Sequence, residues 1–392
     1  MCHRARLAEQ QFCWLASQFG SPLYLEQFLT NGFHSLSRDL KRRASGLSCW
    51  GGIQDLERSL GRFLGQPDEL PIHFFGESAD MIRLAGDLLF ARPNRILTTD
   101  LCWLPYLHWL SGRASQCLGE VHVAALNHLV TCDFSSSDEI AEYLKREYER
   151  KRCNGLFLSD ISYLGVRLPI AKLLSEIEPE YVVIDGAQAI HHRQVDLTEL
   201  PCDLYLAGTQ KWLHAYQPLR CAVVARKQHA VAINRIVASL RMGHQVDALF
   251  QFCERLKSAE LLPFGSTVNV SPLICAAGAL HQAHQELERS HRIWDIPIAN
   301  TRLFANWMED SPWRPLRLHP TLSSGIIRLI PTLQSSRMPG LLIRRVLTRL
   351  GIVATAYEDG TLRFSMPKSH LSLQQLSEIL RALIHVSIEA CK

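Results

Sequence analysis

The chain is expected to fold as an α/β protein with a mostly parallel sheet, followed by a smaller α+β region. Three observations predict this. Seven short apolar or β-branched runs recur between residues 71 and 225. Stretches with helical spacing separate several of them. After about residue 310 the pattern changes to isolated strands accompanied by helices. Strands that are apolar along their whole length and joined by helical crossovers belong to a sheet covered on both faces.

Taken in order, residues 1–70 read as helical pieces and loops, with turn signals and a basic cluster in LEQFLTNGFHSLSRDLKRRAS and a glycine-flanked loop, GLSCWGG, at 46–52. The candidate strands are PIHFF (71–75), RILTT (95–99), VHVAAL (121–126), GLFLS (155–159), YVVID (181–185), DLYLA (203–207) and CAVVA (221–225). Helices are expected near 78–90, 137–151 and 168–177. A long helical pattern covers 271–308, with a kink expected at Pro297. Beyond it, GIIRLI (325–330) and TLRFS (361–365) read as strands, with helices near 338–350 and 371–386. The expected division is an N-terminal segment (1–70), a large α/β domain (71–270), a connecting helix (271–310) and a small α+β domain (311–392).

Composition bounds the function. The 392 residues are 47% hydrophobic and 20% charged, an ordinary globular balance with room for a buried cofactor. A net charge of +4 gives no reason to expect a nucleic-acid partner. The 12 cysteines form no CxxC pair, so zinc and redox spacings are absent, and no metal is expected. Their apolar settings suit reduced thiols in a cytoplasmic protein. The opening MCHRARLAEQ is not expected to act as a secretory signal, and no apolar run reaches membrane-spanning length.

Three strand ends carry groups with chemical uses. YVVID ends on Asp185 and is followed by GAQ; DLYLA runs into GTQKW, which holds Lys211; PIHFF runs into GESAD. Ligands of an α/β sheet bind beyond such ends. The backbone N–H groups of Gly76, Glu77, Ser78 and Ala79 open a helix and suit an anion. Lys211 can form an imine if its amine is partly neutral. A buried Asp185 is costly alone and well used against a cation. Each group also has a plainer use: an aspartate at a strand end is often a helix cap, a lysine after a strand is usually at the surface, and a GESAD turn is often only a helix start.

Together they are more specific. The segment YVVIDGAQAIHHRQVDLTELPCDLYLAGTQKWL resembles the cofactor-lysine region of the class V aminotransferases, which belong to the pyridoxal-phosphate-dependent fold type I enzymes. That family also holds cysteine desulfurases, kynureninases and epimerases. GESADMIRLAGDLL is similar to the family's phosphate turn, TTDLCWLPY to the loop that brings a ring onto the cofactor face, SDISYLGVRLP to the loop over the cofactor, FGSTVNVSP to its Gly-Thr-x-Asn turn, and TLRFSMPKSHLSLQQL to its C-terminal Arg-x-Ser segment.

The resemblance implies a fold type I architecture and roles for particular residues. Lys211 would carry pyridoxal 5'-phosphate as a Schiff base and then move the α-proton. Asp185 would keep the pyridine nitrogen protonated, and Gln188 would meet the phenolic oxygen. Glu77, Ser78, Ala79, Thr209 and Gln210 would hold the phosphate or a ring oxygen. Trp103 would stack on the ring, with Cys102 and Tyr106 as lesser candidates, and Ser162 would lie nearby. Arg363 would grip a substrate carboxylate, with Tyr163 also facing the substrate. Thr267 would reach the phosphate of the neighbouring subunit, which implies a homodimer.

The chain departs from the family's pattern in places. Gln210 stands where histidine usually precedes the lysine, Trp103 stands where histidine often stacks, and Tyr163 stands where several members carry asparagine. GIVATAYEDGTLRF has no cysteine, which argues against desulfurisation by a cysteine nucleophile. For the opening Asn-Asn motif of the family, LTNGFHSL at 29–36 is the nearest candidate. The simplest expected activity is amino transfer. Elimination, retro-aldol cleavage, racemisation or epimerisation, and cyclisation use the same residues. A non-catalytic relative kept as a binding partner, and a generic α/β protein with an incidental Lys211, are the other readings.

Overall fold

The computed structural model describes residues 50–67, 70–242, 247–258, 267–332 and 338–390. The described residues fall into two compact units, one of residues 50–163 and 167–289, the other of 164–166 and 290–390. LTNGFHSL and the first four residues of GLSCWGG lie outside the described residues.

The first unit is the α/β part. Its helix α1 (Ile53–Phe63) buries Ile53, Leu56 and Leu60 on one side, the spacing of an amphipathic helix. Then come β1 (Ile72–Phe75), α2 (Ser78–Leu89), β2 (Arg95–Thr99), α3 (Leu104–Gln116), β3 (Glu120–Ala124), α4 (Asn127–Thr131), α5 (Ser137–Arg150), β4 (Gly155–Ser159), α6 (Ile170–Leu174), β5 (Tyr181–Asp185), β6 (Leu204–Gly208) and β7 (Arg220–Val224). All seven expected strands are present. Strands β1, β4, β5 and β6 are buried at every position, as their unbroken apolar runs require. The sheet order is β1-β7-β6-β5-β4-β2-β3; β7 runs antiparallel to both neighbours and every other pair is parallel.

Three further helices complete this unit: α7 (Ala230–Met242), α8 (Ala248–Lys257) and α9 (Ser271–Arg289). The core packs Phe75, Met81, Leu88, Phe157, Val183, Leu206, Ile233 and Phe250 between sheet and helices. Phe75 and Phe250 stack with centroids 4.6 Å apart, joining β1 to α8.

The single helix expected over 271–308 is instead two. Helix α9 stops at Arg289, residues 290–294 turn, and α10 (Asp295–Trp307) begins in the second unit. Pro297 does not kink a helix. It sits in the first turn of α10, where its missing N–H has no intrahelical partner to lose.

In the second unit, β8 (Trp313–Pro315), β9 (Ile326–Pro331), β10 (Thr355–Ala356) and β11 (Leu362–Ser365) form an antiparallel sheet in the order β10-β11-β9-β8, accompanied by α11 (Gly340–Arg349) and α12 (Leu373–Ala390). Phe304, Trp313, Phe364, Leu376 and Leu383 lie at its core. No helix among the described residues is long and apolar enough to cross a membrane.

Candidate active site

The topology gathers the chemistry at one edge of the large sheet. Parallel strands β1, β4, β5 and β6 end there and antiparallel β7 begins there, so Ser159 pairs with Asp185, and Arg220 pairs with Phe75 on one side and Gly208 on the other. Ligands of open α/β sheets bind beyond this edge.

Asp185 closes β5 and is buried. Its Oδ1 accepts the N–H of Ala187 at 3.0 Å. Burial pushes its carboxyl above the usual carboxylate range, while the charge of Lys211, the Ala187 amide and the Ser159 hydroxyl pull the other way. The carboxylate is therefore held where its charge is expensive and where a cationic group would relieve the cost. Gly186, next in sequence, must be glycine: a Cβ there would run into the Tyr205 ring and hydroxyl. That hydroxyl donates to Asp160 at 2.9 Å, and Asp160 also receives Nε and Nη2 of Arg193, with contacts down to 2.7 Å. The turn that follows β5 thus rests on a neutralised, buried network.

Gln188 is buried one turn further on. Its Oε1 accepts the indole N–H of Trp212 at 2.9 Å. The carbonyl end of the amide is thus taken, and its NH₂ is the end that can donate to a further partner. His191 and His192 flank the turn; the Nδ1–H of His191 donates to the Trp212 carbonyl at 3.2 Å. His191 and His214 both have φ near +60°, an uncommon conformation for non-glycine residues, and they bracket the segment that carries Lys211.

Lys211 is half-buried, three residues past the end of β6, close enough to Asp185 for its charge to act there. Gln210 beside it holds a buried Oε1 with no hydrogen-bond partner among the described residues. The Thr209 hydroxyl accepts the Leu219 N–H at 3.1 Å and its oxygen lies 3.4 Å from the Leu219 carbonyl, so it closes the 209–219 loop rather than facing outward.

The GESAD turn is a helix start, as expected. Glu77 is the N-cap of α2 but supplies no side-chain cap bond, which leaves first-turn N–H groups at Ser78 and Ala79 open to an anion. The Gly76 N–H is different: Asp247 Oδ2 accepts it at 3.2 Å, while Asp247 Oδ1 caps α8 through Phe250 N–H at 2.7 Å. Asp80 accepts the Asp247 N–H at 3.1 Å, and burial raises its carboxyl, with the Asp247 charge adding to the effect.

Arg220 is a candidate site residue that the sequence alone did not point to. Its Nε donates to Ser78 Oγ at 3.2 Å and its Nη1 to the Gly76 carbonyl at 3.0 Å, which sets a guanidinium against the helix start. Arg220 lies 142 residues from Ser78 in sequence, and only the β1–β7 pairing joins them. Tyr106 lies in hydrogen-bonding contact with Ser78, its hydroxyl pushed up by burial and by the charge of Asp185. Cys102 is likewise pushed up, to about 12, by burial and then by Asp185, so it is held as a neutral thiol. Trp103 is 46% exposed and meets Tyr163 edge to face at 5.3 Å. Ser162 is fully buried, and Thr267 is exposed.

Arg363 belongs to the second unit. It is buried on β11, directly opposite Arg328 of β9. Sequence reading named one of the two, because their pairing depends on strand register.

The described residues therefore fit pyridoxal phosphate: a buried carboxylate in need of a cation, an amide whose NH₂ end can donate, a lysine beside them, and an open helix start backed by an arginine. Comparison with known proteins agrees. The aminotransferase class-V family model matches residues 151–235. Isopenicillin N epimerase of Amycolatopsis lactamdurans is 31% identical over 127 residues, 32% of this chain and 31% of that protein, so the match spans about a third of the relative's length. Alanine–glyoxylate aminotransferase of Nostoc sp. has the same fold, with a TM-score of 0.64 at 15% identity, over 85% of this chain and 86% of that one. A C-DES variant with glycine linked covalently to its pyridoxal-phosphate cofactor superposes with a TM-score of 0.64 at 14% identity, over 95% of this chain and 96% of that one. The cofactor-lysine segment is thus similar to the class V aminotransferase family model, and the architecture is the fold of the type I pyridoxal-phosphate enzymes.

Proposed function

We propose that this protein is a pyridoxal-phosphate-dependent enzyme that labilises a bond at the α-carbon of an amino-acid-like substrate, with Lys211 as the covalent anchor. The observation that carries this is the buried Asp185 at the end of β5 with Lys211 beside it and Gln188 one turn away. When bound, pyridoxal phosphate supplies an electron sink for charge that develops at the substrate's α-carbon.

The chain's own residues do the rest. Asp185 holds a proton at the ring nitrogen, which relieves its own buried charge. Gln188 donates N–H to the ring oxygen. Ser78, the α2 amides at Glu77, Ser78 and Ala79, Gln210 and Arg220 hold the phosphate, and Thr209 keeps their loop closed from behind. Trp103 covers one ring face and excludes water there, with Ser162 and Tyr163 nearby. Lys211 takes and returns the α-proton at Nζ. Arg363 binds the substrate carboxylate, an assignment that rests on the sequence resemblance. Thr267 serves the phosphate of a second copy, and the working unit is a homodimer.

The simplest reaction is amino transfer. The similarity to an isopenicillin N epimerase favours a second reading, inversion at the α-carbon. Purified protein should bind the cofactor and turn yellow. Borohydride should then fix it to the tryptic peptide that contains Lys211, and Lys211→Ala should abolish that adduct and at least three orders of magnitude of activity. A colourless protein that takes up no pyridoxal phosphate rejects the proposal. Accumulation of the pyridoxamine form with an amino acid marks transamination; solvent deuterium entering the α-carbon of both enantiomers without it marks epimerisation.

A further inference from the structure

We propose that Trp212 is a positioning residue that fixes which end of the Gln188 amide faces the cofactor, with His192 as its support. This rests on the reading above that Gln188 meets the ring oxygen of pyridoxal phosphate.

The argument starts from what each group can do. An indole N–H only donates, while a carboxamide has a carbonyl end that accepts and an NH₂ end that donates. The Trp212 Nε1–H donates to Gln188 Oε1 at 2.9 Å, and both side chains are buried, with Trp212 1% and Gln188 5% exposed. Turning the amide over would set NH₂ against N–H inside the protein and leave two donors without that bond. The NH₂ end is therefore the one left for a ligand.

Trp212 is itself held at two further points. His192 stacks on its ring with centroids 3.6 Å apart and planes 16° from parallel. The His192 Nδ1–H donates to the Gln188 carbonyl at 2.7 Å, which closes a triangle of Gln188, His192 and Trp212. His191 Nδ1–H holds the Trp212 backbone carbonyl. Because Trp212 follows Lys211 directly, the same contacts tie the amide to the anchor residue. A donor aimed at a ring oxygen favours its anionic form. Trp212 thereby sets the acid–base behaviour of the bound cofactor without touching it.

The test reads the absorption of the bound cofactor across pH. Trp212→Phe should move the midpoint of its spectral titration upward by roughly half to one pH unit, the equivalent of one hydrogen bond. Gln188→Leu should move it similarly, and the double variant should show no further shift, since both changes remove one interaction. A midpoint left in place by Trp212→Phe, or a Trp212→Phe shift that persists undiminished in the Gln188→Leu background, overturns the proposal. Should Trp212→Phe fail to fold, benzothienylalanine at position 212 keeps the ring shape without the N–H donor and is held to the same outcomes. Wild-type protein that binds no cofactor defeats both this proposal and the reading beneath it; wild type that binds cofactor alongside an unshifted variant defeats this proposal alone.

Discussion

At the scale of single residues, the site is a set of charges held where water cannot help them. The raised carboxyl of Asp185 has a defined consequence for pH. A folded-state value above the unfolded one means that the cofactor-free protein loses stability as pH rises through the carboxylate range. Asp185→Asn keeps an acceptor for the Ala187 N–H and removes the buried charge. Thermal denaturation of cofactor-free protein at pH 7 should show Asp185→Asn more stable by about 1 kcal/mol, while its activity with cofactor falls at least a hundredfold. Lower stability of the variant would mean that the charge is already neutralised in the free protein. Arg220, half-buried, is a second charged residue of the site. Replacing it by methionine should weaken pyridoxal-phosphate binding about tenfold, the scale of one charge-assisted hydrogen bond. Fluorescence titration measures this, and an unchanged affinity would remove Arg220 from the phosphate site.

At the scale of elements, one buried ion cluster joins the front of the sheet to its helices. Glu254 of α8 meets His73 of β1 at 3.1 Å and Lys257 at 2.9 Å, and Lys257 also meets Glu57 of α1 at 2.9 Å. Burial alone would raise the Glu254 carboxyl, but His73 and Lys257 overcome it and hold it down to about 2. A depressed carboxyl stabilises the fold above its ordinary value of 4.5, and that stability is lost as pH falls from 4.5 toward 2. Glu254→Gln leaves the Lys257 charge without this partner. It should cost on the order of 3 kcal/mol at pH 7 and flatten the acid limb of a stability-against-pH curve. An acid limb identical to wild type would show that other carboxylates carry it. The cluster also fixes the base of the turn at Gly76, because β1 leads directly into Gly76 and α8 is capped by the Asp247 that grips Gly76.

At the scale of the whole molecule, ligand binding and stability are linked. A cofactor that binds only the folded chain stabilises it by about 2.7 kcal/mol at a hundredfold excess over its Kd. Differential scanning fluorimetry should therefore show a rise of several degrees with pyridoxal phosphate, smaller for Lys211→Ala and for Arg220→Met. No rise at millimolar cofactor would contradict a cofactor site in the folded protein. Among the described cysteines, Cys102, Cys153, Cys202, Cys221 and Cys253 are buried free thiols, and burial raises all five.

Much of this was legible in the amino-acid sequence. The seven strands of the large sheet read directly from short apolar or β-branched runs, and β1, β4, β5 and β6 are the four buried at every position. Asp185, Gln188 and Lys211 read as a group, and they lie on one local stretch of chain where the Lys211 charge acts on the buried Asp185. The break at 290–294 did not read: the flanking helices share a composition, and the helix spacing continues across it. Nor did Arg220 against Ser78, Trp212 on Gln188, or Arg328 opposite Arg363. Those pairs are made by strand order, register and a reversed β7, which are properties of the packed sheet. Local pattern determines which elements form and which side chains close the strand ends. The partners that orient the anchor are chosen by long-range packing, since contacts between distant segments leave no periodic mark in either segment alone.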